Sequence, residues 1–511
     1  IAGRIDHLPL PAGNYRYPVA GEDCLFYMNK EDGDFNRFEF RSHGRMDLFR
    51  FSFEAREEKK VTGGVDEYRL SSNGKKVVYR KGSEVGITDA SETESKGSPL
   101  DLSGLEFKLD PVAEWKQIFN EAWRMERDYY YEEGMHGIDW DAMKVKYGRL
   151  LDRATCRQDL GFIIGELIGE LNTSHTYVYG GDVKRKAGRV GIGMLGVDWA
   201  IEEGSDYYRF GKVYRVGDWT REILPPLDRP GSEVADGEYL IAVNGTEART
   251  GSNIYSYFEG LAGRQVLLLV NDRPSRKGAR EVVAVTIGGE RTLRYLDWVE
   301  GNRLEADKAS EGKIGYIHMP DTYMGSAREF PKYFYGQMNK KALIIDGRFN
   351  GGGLDPAVFF QRLNKKPHSY WTRRYSSDQK DPSTSVDAHM VCLTNRQAGS
   401  GGDMVPMELQ MMDMGPVIGT RTWGGLVGVS MFLRLIDGGG LTAPDYRIYT
   451  EEGEGIVENE GVTPDIIVDL DPVEMSRGYD AQLMKAIEYL MGELEKDPRE
   501  FPEHDPFKVD R

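Results

Sequence analysis

The chain has 511 residues, 40% hydrophobic and 11% aromatic, enough for packed cores in three or four units of ~150 residues and too apolar for general disorder. Its 66 Lys and Arg against 83 Asp and Glu leave a net charge of −17. That argues against a nucleic acid or an anionic membrane as the main partner, because phosphates would be repelled.

Residues 1–105 read as all-β. The runs CLFYMNK, RFEFRS, DLFRFSF, EYRLS, KKVVYRKG and EVGITDA alternate with period two, and NKEDGD, TGG and SSNGKK read as turns. This fits a sandwich, barrel or propeller, with room for about two propeller-like blades. Near residue 110 the period changes. Asp110 suits an N-cap and Pro111 the first helical position. Apolar residues at Trp115, Ile118, Phe119, Ala122, Trp123 and Met125 predict a helix. Further helices over about 139–152 and 157–171 complete a helical module, 106–185, that closes on LNTSHTYVYGGD. Residues 186–290 predict a small β-rich domain around DGEYLIAVNG. From 291 to 497, strands KIGYIHM, KALIID, HMVCLTN and PVIG alternate with helices over DPAVFFQRL, MVPMELQMM and YDAQLMKAIEYLMGELEKD, the pattern of a layered α/β domain. Residues 498–511 read as a tail.

Cys24, Cys156 and Cys392 lie too far apart for a CxxC metal site or a disulfide framework and read as buried thiols. The longest apolar runs, such as VLLLV at 266–270, are far shorter than the ~20 residues of a membrane span.

Four segments could carry chemistry. In Thr394-Asn-Arg-Gln-Ala-Gly-Ser400-Gly-Gly-Asp403 an apolar strand runs into a glycine-flanked serine and then a helix. Such a turn can expose a nucleophilic hydroxyl beside free helix N–H groups; the plain alternative is an N-cap. In Asp346-Gly-Arg-Phe-Asn350-Gly-Gly-Gly353 a buried strand ends in three glycines, either donating a backbone N–H to an anion or only turning tightly. No GK[ST] follows, so it is not a Walker A loop. Among eight histidines, His175 in Asn172-Thr-Ser174-His175 stands just past a helix end among hydroxyl residues and is the candidate base, with Ser174 a candidate partner or cap. His318 and His389 sit in strand-like runs and His136 in a loop, where structural roles fit. Glu458, in Gly455-Ile-Val-Glu458-Asn-Glu-Gly-Val-Thr-Pro-Asp465, could orient the base or simply be solvated.

In order, NTSH, DGEYLIAVNG, RFNGGG, NRQAGSGGD, GTRTWGG and VENEGVTPD resemble the C-terminal part of the tricorn proteases, a branch of the serine peptidase family that includes the carboxyl-terminal processing proteases. The resemblance implies a multidomain α+β chain: a partial β-propeller-like module, a small helical domain, a PDZ-like domain and a layered, ClpP/crotonase-like catalytic domain. It implies Ser400 as nucleophile and His175 as general base. Glu458 would hydrogen-bond Ser174, which would orient the imidazole, and the N–H groups of Gly353 and Gly401 would form the oxyanion hole. No metal or cofactor is implied. The partners implied are peptide substrates and further copies of the chain, in the cytoplasm, or in the periplasm or outside the cell if a signal once preceded Ile1. Gly425 falls where the processing proteases place a lysine base, which favours the histidine-using tricorn branch. Two departures from that branch bear on the site. Gly401 replaces an aspartate of the tricorn branch. SYWTRRYSS offers Trp371 as a substrate-binding residue where that branch has an acidic one, which weakens the expected preference for basic substrates. The alternatives are a silent peptide-binding scaffold of the same family and an acyl-CoA-binding crotonase-like protein.

Overall fold

A computed structural model describes residues 7–30, 45–92, 98–183, 188–216 and 224–504. It divides into two compact units, Ile1–Asp110 and Pro111–Arg511.

The first unit is antiparallel. Strands β1 (Asn14–Ala20), β2 (Cys24–Lys30), β3 (Met46–Ser52) and β4 (Glu57–Val65) form one four-stranded meander. Strands β5 (Glu67–Leu70), β6 (Lys76–Lys81), β7 (Glu84–Asp89) and β8 (Ser98–Pro99) form a second. Each has the order of a propeller blade, and Phe26, Met28, Leu48, Val61, Tyr68 and Val77 share a core. The TGG expected as a turn lies instead inside β4. There the register slips opposite Met46–Leu48, Gly64 takes φ 69°, and its N–H donates to Asp47, so these glycines make a bulge. The RFEFRS run lies outside the described residues.

The second unit opens with α1 (Pro111–Tyr129), α2 (Trp140–Gly148) and α3 (Arg157–Gly169), packed around Ile118, Phe119, Trp123, Leu160 and Ile164. Strand β9 (Tyr177–Tyr179) follows. Next come β10 (Val197–Ile201), β11 (Tyr208–Val213), β12 (Tyr239–Val243), β13 (Thr246–Glu247), β14 (Gln265–Asn271) and β15 (Arg280–Val285), one sheet with its own core of Phe210, Leu240, Leu268 and Val282. The remaining chain runs α4 (Arg291–Ala309), β16 (Ile314–His318), α5 (Met324–Gln337), β17 (Ala342–Asp346), α6 (Ala357–Leu363), β18 (Ser369–Arg373), β19 (Ser376–Asp381), β20 (His389–Thr394), α7 (Gly401–Met411), β21 (Val417–Gly419), β22 (Phe432–Arg434), β23 (Gly440–Thr442), β24 (Ile466–Ile467), α8 (Pro472–Ser476) and α9 (Ala481–Lys496).

Strands β16, β17, β20, β21 and β24 make a parallel sheet in that order. IGYIH and ALIID are buried at every residue, because helices cover both faces and leave no wet side to demand alternation. Strand β9 pairs with β23 and β23 with β22, which ties the segment after α3 to the chain between β21 and β24. All three cysteines are free; Cys24 and Cys392 are buried, whereas Cys156 is partly exposed. No described helix is long and apolar enough to cross a membrane.

One core position defies its type. Glu126 sits on the apolar face of α1, fully buried, and neither carboxylate oxygen has a hydrogen-bond partner among the described residues. Burial raises its pKa to about 8. An acid with a raised folded-state pKa binds more protons folded than unfolded, so stability falls as pH rises from about 4.5 to 8. Between pH 5 and 7 this amounts to roughly 2–3 kcal/mol at 1.4 kcal/mol per unit. Glu126→Gln is expected to abolish that slope in urea denaturation series; an unchanged slope would place its origin elsewhere.

Candidate active site

Open α/β sheets gather ligands at the carboxyl ends of their strands. Here β17 and β20 are neighbours; β17 runs into GRFNGGG and β20 into NRQAGS and then α7. Ser400 caps α7 with φ 57° and ψ −121°, a backbone that a residue bearing a Cβ holds only under constraint. The constraints are close at hand. Gly402 N donates to Gly399 O and Asp403 N to Ser400 O, each at 2.8 Å. A Cβ on Gly352, which has φ 77°, would stand 2.7 Å from Ser400 Cβ and 3.1 Å from Gly401 N. Glycine there lets the NGGG turn press against the serine turn.

The N–H groups of Gly353 and Gly401 have no acceptor among the described residues, and a Cβ on Gly401 would lie 3.0 Å from Gly353 N. Two free donors therefore sit together beside Ser400. Gly401 has no room for a side chain: its Cβ would fall 2.0 Å from Thr322 Oγ1. Glycine at 401, where the resemblance read from the sequence implies an aspartate, is a steric requirement in this chain.

His175 lies 225 residues before Ser400, yet its Nε2 is 2.9 Å from Ser400 Oγ. Its backbone is left-handed too, with φ 60°, and is fastened to β23: Thr442 Oγ1 donates to His175 O at 2.7 Å and accepts from Tyr177 N at 2.8 Å. Trp423 stacks on the imidazole, centroids 5.7 Å apart and planes 24° apart. Burial pushes the His175 pKa below its ordinary 6.5, and the charge of Glu458 pulls partly the other way. The ring is therefore neutral near pH 7, as a proton acceptor must be.

Glu458 accepts four hydrogen bonds: from Ser174 N at 2.6 Å, Ser174 Oγ at 2.9 Å, Leu426 N at 2.7 Å and Val427 N at 3.1 Å. It pins the NTSH loop to the chain after TWGG. Ser174 Oγ points to Glu458, and the hydroxyl facing His175 Nδ1 is that of Tyr177, 3.4 Å away. The imidazole is thus oriented differently from the expected relay through Ser174. Asp403, buried at the start of α7, accepts from Gly424 N at 2.9 Å and holds the loop that carries Trp423. A Cβ on Gly425 would meet the Trp423 ring at 2.1 Å, which leaves no space for a lysine base at that position.

Sequence reasoning passed over Tyr177 and Trp423. Tyr177 stands two residues past His175, at the first position of β9, but the left-handed backbone at His175 breaks the extended run, so no period in the sequence pairs the two. The structure does not bring Trp371 to this site. It stands on the exposed β18–β19 hairpin, 56% exposed.

Three family models match successive segments: "Tricorn protease C1 domain" at 111–169, "Tricorn protease PDZ domain" at 193–288 and "Peptidase family S41" at 313–468. The chain belongs to peptidase family S41, in its tricorn branch. A "Putative Tricorn-like protease C-terminal subunit" of Sulfurisphaera tokodaii is 35% identical over 410 residues, which cover 80% of this chain and 47% of the relative. The "Tricorn protease" of Thermoplasma acidophilum is 31% identical over 499 residues, 96% of this chain and 45% of the relative. The solved "Crystal structure of the tricorn protease" superposes with a TM-score of 0.86 at 29% identity, covering 95% of this chain and 47% of that one. The chain thus spans about half the length of these relatives.

Proposed function

We propose that the chain is a serine peptidase that hydrolyses peptide bonds in peptides or oligopeptides through an acyl-enzyme on Ser400. The observation that carries this reading is the 2.9 Å approach of His175 Nε2 to Ser400 Oγ beside two unpaired backbone N–H groups. Ser400 Oγ attacks the scissile carbonyl while His175 Nε2 takes its proton. The Gly353 and Gly401 N–H groups hold the oxyanion of the tetrahedral intermediate. His175 then gives the proton to the leaving amine, and water resolves the acyl-enzyme with the same base. Glu458 fixes the loop that carries His175 and, by its charge, favours the imidazolium that forms. Trp371, exposed on its own copy, would serve the site of a neighbouring copy in a homo-oligomer.

Fluorophosphonate labelling with peptide mapping tests the reading. Ser400 should carry the label, and His175→Ala should abolish it. An unlabelled Ser400 in folded protein would leave the scaffold or acyl-CoA readings, which a peptide- or acyl-CoA-binding assay separates.

The pH dependence follows from the site. The acid limb of kcat/KM should have an apparent pKa below 6.5, since burial lowers that of His175. Glu458→Gln removes a charge that raises it, so the limb should move further to lower pH. The plateau should meanwhile fall roughly 10²-fold, the size of one preorganised electrostatic contact. A limb that moves to higher pH would contradict this role.

A further inference from the structure

Thr322 follows β16 in the sequence Met319-Pro-Asp-Thr322 and is 2% exposed. Its backbone brackets Gly353: Thr322 N donates to Gly352 O at 3.0 Å, and Leu354 N donates to Thr322 O at 3.3 Å. Its hydroxyl oxygen would be 2.0 Å from a Cβ on Gly401 and 3.1 Å from one on Gly353, so it lies against both glycines. It has no hydrogen-bond partner among the described residues.

A buried hydroxyl left unpaired destabilises a fold, and a valine in its place would remove that penalty. A buried, unpaired hydroxyl packed against two glycines whose N–H groups are also unpaired adds a third potential donor where negative charge would develop. We infer that the Thr322 hydroxyl is a third donor to the oxyanion, beside the N–H groups of Gly353 and Gly401; this rests on the peptidase reading of the site. The hydroxyl keeps its proton throughout. It hydrogen-bonds the carbonyl oxygen as that oxygen becomes anionic and is released when the carbonyl re-forms. The crowding at Gly401 belongs to the same device, because any side chain at 401 would displace this oxygen.

The test uses the full chain with Thr322→Val, Thr322→Ala and Thr322→Ser, and reads fluorophosphonate labelling of Ser400, kcat and KM on a fluorogenic peptide, and thermal midpoint. Valine and alanine should slow labelling and lower kcat about 10²-fold with KM within a few-fold, the usual effect of deleting one oxyanion donor. Serine should restore most of the rate. The valine variant should be at least as stable as the native chain, which a purely structural hydroxyl would also give, but without the kinetic loss. Native rates in the valine or alanine variant would overturn the inference and leave the peptidase reading intact. A native chain in which Ser400 does not label overturns both. Alanine keeps the test valid if the second methyl of valine cannot be housed beside Gly401.

Discussion

Ser400→Ala is expected to lower peptide turnover by about 10⁶-fold, to near the background of the oxyanion site alone. The size follows from the geometry. Ser400 Oγ and His175 Nε2 share one hydrogen bond of 2.9 Å, so neither acts without the other. His175→Ala should therefore lose a similar factor, and the double variant should lose little more than either single one. Additive losses, or a Ser400→Ala variant that keeps a tenth of native turnover, would refute the assignment. The fold should survive: alanine occupies less volume, and the turn that holds residue 400 is fixed by Gly399, Gly402 and Asp403 backbone bonds rather than by the hydroxyl.

The segments that carry the site are legible because the chemistry imposes local shape. A serine strained between glycines, a glycine run after a buried strand and a histidine at a helix exit each leave a mark within a few residues. What joins them does not. His175 reaches Ser400 through the β9–β23 pairing and the Thr442 anchor, contacts between distant segments that no local period encodes. Trp423 and Thr322 owe their roles to the same long-range meeting. Elements were also missed for local reasons. Helix α5 carries Pro331 within it, an ordinary helix breaker. No residue of β18 or β19 is buried, so these strands show no apolar alternation. Helix α4 buries Leu293, Leu296, Val299 and Ala306, a helical spacing interrupted by Asn302, whose amide bonds the Tyr316 hydroxyl at 3.0 Å. In α1 the expected apolar face included Met125, whereas the structure buries its neighbour Glu126 more completely.

Arg348→Met is expected to destabilise the parallel-sheet domain by about 3–5 kcal/mol, the usual consequence of removing one partner from a buried ion pair. Arg348 is wholly buried. Its Nε and Nη2 bond Asp346 at 2.7–3.0 Å, and its Nη1 bonds both oxygens of Asp480 at 2.7 and 2.9 Å. Asp346 ends β17, and Asp480 caps α9 through Leu483 N. The guanidinium therefore clamps the strand end that launches the NGGG turn to the helix packed behind it. Methionine fills much of the volume but leaves two buried carboxylates without a cation. Burial alone pushes the Asp346 pKa up, and Arg348 more than offsets this in the native chain, holding it below the ordinary carboxylate value. Without Arg348 the balance inverts, and Asp346 should be protonated more readily folded than unfolded. The native contribution of Asp346 is lost as pH falls, whereas the variant is relieved as pH falls, so the deficit should be largest near pH 7 and shrink toward pH 4. Adding Asp346→Asn and Asp480→Asn to Arg348→Met should recover part of the loss at neutral pH, because the uncompensated charge rather than the missing contact dominates it. Urea midpoints of the single and triple variants at the two pH values decide the matter. A deficit independent of pH would mean that packing, not charge, holds the base of the NGGG turn.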